Sequence, residues 1–235
     1  MTFLHSYPNP LLRTWRLGED IQRASVQYRA MRRFLQMMMF PLCKMRIFGR
    51  HYEPADGGAV YVCNHQSFLD PALMALALRR PVNYMARDTL FHVPVFGRII
   101  GSLNAFPIRR ASADLSALKE AMRRLKAGSQ VGVFAEGRRT SDGRIGPFLP
   151  GVAILARRAA KWTIPVLIDG AFEAWPCQQA LPRPGSIVVR YAPPIPQHEV
   201  RKLEPAVLLE CLRKVLIEMQ TEVRATLGRP SINYE

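Results

Sequence analysis

His65 and Asp70 stand five positions apart in the run Asn64-His65-Gln66-Ser67-Phe68-Leu69-Asp70, a spacing that allows an oriented acid–base pair. A carboxylate that accepts a hydrogen bond from one imidazole nitrogen fixes the tautomer and leaves the other nitrogen free to take a proton. The run lies between residues 58–63, an apolar segment that reads as a short strand, and residues 71–78, which read as a helix. The pair is therefore expected at a strand-to-helix turn. Because Asp70 precedes Pro71, it is also expected as the N-cap, with proline opening the helix. Taken alone, the segment allows a plainer reading, in which Asp70 only caps and His65 is a hydrogen-bonded histidine at a strand end.

Three further blocks follow in order. Residues 101–110 end an apolar stretch in Arg109 and Arg110. Residues 131–140 run as a strand into Glu136, Gly137, Arg138, Arg139 and Thr140. Residues 163–168 read as a buried strand with Pro165 near its start. Two Arg-Arg pairs at element ends suit a phosphate-bearing substrate, since guanidinium groups grip phosphate oxygens in bidentate fashion. Gly137 lets the backbone come close to a ligand. Each arginine pair by itself also reads as solvated surface charge.

Together the four blocks resemble those of the glycerolipid acyltransferases related to 1-acylglycerol-3-phosphate acyltransferase. Asn64, His65, Ser67 and Asp70 match an Asn-His-x-Ser-x-x-Asp pattern. Gly101, Phe106 and Arg109 match the second block, in which the family places a phosphate-binding arginine. Phe134, Glu136, Gly137 and Arg139 match a Phe-Pro-Glu-Gly-Thr-Arg-Ser block, and Pro165 the fourth. The resemblance covers roughly residues 45 to 195. Ala135, Arg138 and Thr140 depart from the third block, and Leu149 stands where a lysine commonly follows the phenylalanine of a later segment. These departures bear on the acceptor more than on the acyl transfer.

The resemblance implies acyl transfer to the 2-hydroxyl of a lysophospholipid, with 1-acylglycerol-3-phosphate the acceptor and phosphatidate the product. The donor is acyl-CoA or acyl-carrier protein. His65, held by Asp70, is the expected general base, and no metal or cofactor is required. Asn64, Ser67, Arg109, Glu136, Gly137, Arg138, Arg139 and Thr140 are the expected substrate-binding residues. Cys63, two residues before His65, is read as a buried small hydrophobe rather than a nucleophile. Another lyso-lipid, such as lyso-ornithine lipid, is an alternative acceptor, and a non-catalytic membrane-surface binding module is the alternative from another class.

The formal net charge of +15 calls for an anionic partner. No zinc-finger spacing, RNA-binding aromatic signature or recognition helix points to nucleic acid, so an anionic membrane surface is the expected partner. Nine arginines and lysines within residues 1–50 oppose only Glu19 and Asp20. From 21 to 48 they alternate with Phe34, Leu35, Met37, Met38, Met39 and Phe40, which suits an amphipathic helical segment at the bilayer interface or one packed on the domain. Pro41, Lys44 and Arg46 interrupt an apolar run already too short to span. Residues 1–18 carry no secretory pattern, and Cys43, Cys63, Cys177 and Cys211 have no paired spacing. Location at the cytoplasmic face of a membrane, as a peripheral protein, is expected.

These elements require a scaffold. Strands are expected at 82–86 and 186–191, and helices at 88–100 with a break near Pro94 and Gly97, 112–127 stopped by Gly128, 147–160 and 203–227. The alternation predicts a single α/β domain, residues 49–235, with a central mixed, largely parallel sheet flanked by helices, preceded by the membrane-interface segment 1–48. Such a sheet would gather His65, Asp70 and the third block at its carboxyl edge.

Overall fold

A computed structural model describes residues 26–93, 97–98, 100–101, 104–108, 115–176, 178–179, 181 and 183–234. Arg109 and Arg110, the first residues of the expected 112–127 helix and the chain before Val26 lie outside them.

Helix α1 (Val26–Leu42) leads into strand β1 (Arg46–Phe48). Then come β2 (Ala59–Cys63), α2 (Asp70–Leu76), β3 (Val82–Arg87), α3 (Asp88–Phe91) and β4 (Ala105–Ile108). After these follow α4 (Leu115–Lys126), β5 (Gln130–Phe134), α5 (Pro150–Arg158), β6 (Trp162–Asp169) and α6 (Ala171–Ala174). Strands β7 (Val188–Tyr191) and β8 (Ile195–Pro196) and helices α7 (Gln197–Lys202) and α8 (Pro205–Thr226) complete the order. The strands form one mixed sheet in the order β1-β7-β6-β2-β5-β3-β4, with β8 on β6. From β6 across to β4 every pairing is parallel, whereas β7 and β8 run antiparallel to β6. The expected α/β domain with a mixed, largely parallel sheet is what the chain forms.

The central strands are buried along their whole length, as their unbroken apolar runs require of parallel strands covered on both faces. Val60, Val62, Val131 and Val133 pack beneath α4, α5 and α8. Tyr61, Cys63, Ile164 and Val166, from alternate positions, pack beneath α1 and α2. Pro165, without an N–H, falls in a gap of the antiparallel pairing, between Val166 opposite Tyr191 and Thr163 opposite Ile195.

The register places the site. Ala59 through Cys63 pair residue for residue with Gln130 through Phe134 on one side and Trp162 through Val166 on the other. Strands β2 and β5 thus end side by side while β6 continues to Asp169, and the chain leaving β2 at Asn64 meets the chain leaving β5 at Ala135. Helix α1 lies on α2: Tyr28, Met39 and Cys43 are buried, and Gln36 donates to the Leu76 carbonyl at 2.7 Å. Its opposite face carries exposed Phe34, Met37, Met38 and Phe40 beside Arg29 and Arg33. No helix among the described residues is long and apolar enough to cross a membrane.

The expected N-cap is not where the sequence put it. Leu69 occupies that position without a side-chain cap bond, and Asp70 is the first helical residue. Its carboxylate points back into the preceding turn, where Oδ2 is bonded.

Gly58 enters β2 so close to the end of α4 that a Cβ would stand 1.9 Å from the Leu125 carbonyl oxygen. Backbone cannot yield there as a flexible side chain would, so Gly58→Ala is expected to destabilise by about 2 kcal/mol or more. Urea unfolding of the variant beside wild type checks this.

Candidate active site

Every polar residue between β2 and α2 is engaged. Asn64 continues the sheet with its side chain: its amide nitrogen donates to the Ile168 carbonyl at 2.9 Å and its oxygen accepts the Ile168 N–H at 2.8 Å. The Gln66 side-chain oxygen accepts the N–H groups of Ala171 and Phe172, both at 3.2 Å, fixing the turn after β6. Ser67 Oγ donates to the Trp175 carbonyl at 2.9 Å and accepts the Leu69 N–H at 3.3 Å. Asn64, Gln66 and Ser67 are all buried, so these partners replace water.

At the centre, His65 Nδ1 and Asp70 Oδ2 are 2.7 Å apart. The same oxygen accepts the N–H of Gln66 at 2.6 Å and of Ser67 at 2.7 Å. The carboxylate is fully buried, whereas the histidine side chain keeps 17% exposure. A carboxylate already holding two backbone N–H groups acts as acceptor toward Nδ1, so Nδ1 carries the proton and Nε2 the free lone pair. Phe134, the last residue of β5, stacks on the imidazole at 4.2 Å between centroids and 21° between planes, fixing the ring's second direction.

The third block holds the histidine by its main chain. Glu136 Oε1 accepts the His65 N–H at 3.0 Å and Oε2 the Gly146 N–H at 3.1 Å. The His65 carbonyl accepts the Thr140 N–H at 2.8 Å. Thr140 is buried, and its hydroxyl donates to Asp142 at 2.9 Å and accepts the Gly143 N–H at 3.1 Å, closing a turn. Gly137 has φ +68°, with Leu149 against the place a Cβ would take. Leu149 thus covers the block's backbone.

Arg138 is exposed. Arg139 is half-buried, its guanidinium carbon 3.5 Å from the centre of the Phe68 ring, and its Nη1 is buried without a hydrogen-bond partner among the described residues. Phe68, 50% exposed, in turn lies 5.5 Å from Trp175. Of the expected site residues, the structure thus gathers His65, Asp70, Glu136, Thr140 and Arg139 around one turn. Asn64 and Ser67 lie in the same turn with side chains bonded to β6 and to the segment after α6. Arg109 lies outside the described residues. Sequence reasoning missed Gln66, Phe134 as a stacking partner, and Gly146. An apolar strand residue and a loop amide carry no mark in the sequence of what they will face.

Burial pushes the Cys63 thiol well above its ordinary range, as its strand position anticipates. No group of three or more His, Cys, Asp or Glu among the described residues could hold a metal ion. Burial also raises the Glu136 carboxyl, against the lowering effect of its two backbone N–H donors and of His65. The folded chain therefore keeps this proton at a pH where the unfolded chain has lost it. Stability from this group falls as pH rises from the ordinary glutamate range through the raised value. Measured by urea unfolding, the difference in stability between wild type and Glu136→Gln is expected to shift against wild type from about pH 4 upward. A difference independent of pH would contradict it.

Similarity to known proteins follows the same residues. A family model described as Acyltransferase matches residues 44–169, the stretch from β1 to the end of β6. A chloroplastic 1-acyl-sn-glycerol-3-phosphate acyltransferase of Arabidopsis thaliana is 32% identical over 141 residues, covering 59% of this chain and 39% of that one. The 1-acyl-sn-glycerol-3-phosphate acyltransferase of Bacillus subtilis is 28% identical over 127 residues, covering 54% and 63%. The chain thus spans about two fifths of the length of the Arabidopsis relative. In fold it is similar to the crystal structure of the 1-acyl-sn-glycerophosphate acyltransferase PlsC from Thermotoga maritima, with a TM-score of 0.72, 24% identity, and 84% and 80% of the two chains covered. With the family match spanning more than half of its length, and His65, Asp70, Glu136 and Arg139 inside it, this chain belongs to the acyltransferase family.

Proposed function

We propose that this protein transfers a fatty acyl group from acyl-CoA or acyl-carrier protein to the 2-hydroxyl of 1-acylglycerol-3-phosphate, giving phosphatidate. The observation that carries the reading is the His65–Asp70 pair, 2.7 Å apart and anchored by two backbone amides at the mouth of the sheet. A structural histidine has no need of a buried carboxylate so firmly fixed. The names of the Arabidopsis and Bacillus relatives supply the acceptor.

The reaction as proposed uses no metal and no cofactor. The acceptor hydroxyl gives its proton to His65 Nε2 as its oxygen bonds to the thioester carbonyl carbon. The C–S bond then breaks, and the departing thiolate takes the proton from the imidazolium. Asp70 stabilises the imidazolium between these steps. Arg139, whose Nη1 is without a partner among the described residues, and exposed Arg138 supply donors for the acceptor phosphate, with Arg109 assigned to it by the family pattern. Gly137, at φ +68° and covered by Leu149, gives the loop its turn, and Glu136, Asn64, Ser67 and Thr140 shape the turn around His65.

The proposed setting is the cytoplasmic face of a membrane, with the protein bound peripherally to anionic lipid. Phe34, Met37, Met38 and Phe40 on the outer face of α1, flanked by Arg29 and Arg33, support this. The chain leaves α1 at the catalytic end of the sheet, where the Ile187 N–H donates to the Cys43 carbonyl at 2.9 Å. A lipid surface there would lie beside the site.

Acyl transfer from labelled acyl-CoA and acyl-carrier protein to a panel of lyso-lipids on mixed vesicles tests the reading. Transfer to lysophosphatidate is expected, falling by about 10²–10⁴-fold in His65→Ala and in Asp70→Asn with folding retained. Transfer to lyso-ornithine lipid instead would relocate the acceptor, and undiminished transfer in His65→Ala would remove the proposed base. Vesicle binding without transfer would identify a binding module. The double variant Phe34→Ser with Met37→Ser, both residues exposed, is expected to weaken partition onto anionic vesicles by about tenfold or more while leaving Tm unchanged. Vesicle co-sedimentation and thermal unfolding check it.

A further inference from the structure

Beyond the family match, the chain builds a second support for the catalytic turn. Asp169, the last residue of β6, is fully buried, and two arginines meet on it: Arg224 from α8 at 2.9 Å and Arg229 from the tail at 2.5 Å. Arg224 also donates to the Pro230 carbonyl at 2.7 Å, and Arg229 to that of Ser186. The tail is thereby tied down over the carboxyl end of β6. Five residues later the Tyr234 hydroxyl accepts the Ile145 N–H at 3.1 Å and donates to the Gln220 side-chain oxygen. Gln220 donates to the Gly143 carbonyl at 3.4 Å, and Arg213 Nε to the carbonyls of Ile145 and Gly146, both at 3.2 Å. The segment 143–146 is held at four backbone groups by side chains of residues 213–234.

The next amide along that segment is the one bonded to Glu136. Gly146 N–H meets Glu136 Oε2, and Glu136 Oε1 meets the His65 N–H. Tyr234 is therefore linked to the backbone of the histidine by one continuous path through Ile145, Gly146 and Glu136. No helix or strand stiffens residues 137–149, so restraint must come from outside the segment. Ile145 is fully buried, and loss of the tyrosine oxygen removes the partner of its N–H.

We propose that the C-terminal tail is a positioning element for the general base, with Tyr234 a positioning residue that sets the His65 backbone through Gly146 and Glu136. The proposal rests on the reading of His65 as that base. Small displacements of a reacting group cost rate without changing substrate affinity, because the geometry of attack is met only within a few tenths of an ångström. The tail thus acts on turnover rather than on binding.

Tyr234→Phe keeps the ring and removes only the oxygen. Hydrogen exchange on the whole protein is expected to accelerate by about fivefold at the His65 and Gly146 amides. Amides of the far strands β3 and β4 should exchange as in wild type. In the transfer assay kcat is expected to fall by about threefold to tenfold, with KM for donor and acceptor unchanged. The path also predicts coupling: in a Glu136→Gln background, Tyr234→Phe should add little further loss of kcat. Leu208→Ala, a truncation in α8 away from the path, controls for general loosening and should leave exchange at His65 unaltered. Unchanged exchange at His65 in Tyr234→Phe, or acceleration equal to that in Leu208→Ala, would overturn the proposal whether or not transfer is observed. Active wild type with unaffected His65→Ala would instead overturn the reading beneath it.

Discussion

One carboxylate oxygen holds the turn between β2 and α2 together. Asp70 Oδ2 collects three donors, the imidazole Nδ1 and the amides of Gln66 and Ser67, in a position sealed from water. A buried carboxylate without such donors is costly, and a loop folded around none would lose its shape. Here each requirement answers the other: the amides stabilise the charge, and the charge curls the chain so that His65 folds back onto it. The side chains on either side of the histidine then secure the curl to its surroundings, Asn64 to β6, Gln66 to α6 and Ser67 to the segment beyond.

This explains why some of the site was legible in the sequence and some was not. Types and spacing named the pair, and the apolar runs around it named the strand and helix between which it lies. The same residues misled on the cap: Asp70 before Pro71 satisfies the local rule for a helix start, but the rule is blind to the two amides upstream that compete for the carboxylate. Asn64 is a related case. As a motif residue it reads as a ligand contact, whereas its amide bonds the backbone of β6, a strand whose place beside β2 is set by pairing over a long stretch of chain. Phe134 and Gly146 show the limit most plainly. One offers a ring face and the other an N–H, and no pattern of residue types announces either. The sheet order was likewise open, since alternation of strands and helices does not say that β7 and β8 reverse.

That reversal has consequences for what lies next to the site. Because β7 runs against β6, and β1 runs with β7, the chain enters β1 from the catalytic end. Helix α1 must therefore finish there, with exposed Phe40 in its last turns. The long C-terminal helix returns across the other face and leaves its tail on Asp169, at the same end. Two segments remote in sequence from the catalytic turn thus border it, one greasy and one heavily hydrogen-bonded.

The long-range pairing of β2 also shapes how the molecule comes into being. Ala59 faces Gln130 on one side and Trp162 on the other, so the strand that carries the histidine has no neighbour until much of the chain has been made. Through that interval Val60, Tyr61 and Val62 form an apolar edge with open hydrogen-bonding groups, the sort of template on which chains aggregate. A ribosome-bound chain ending before β6 lacks the partner that closes this edge. The strand most central to the finished protein is thus the one longest in need of shelter during synthesis, and chaperone demand should track the emergence of residues 162–169 more closely than that of any earlier segment.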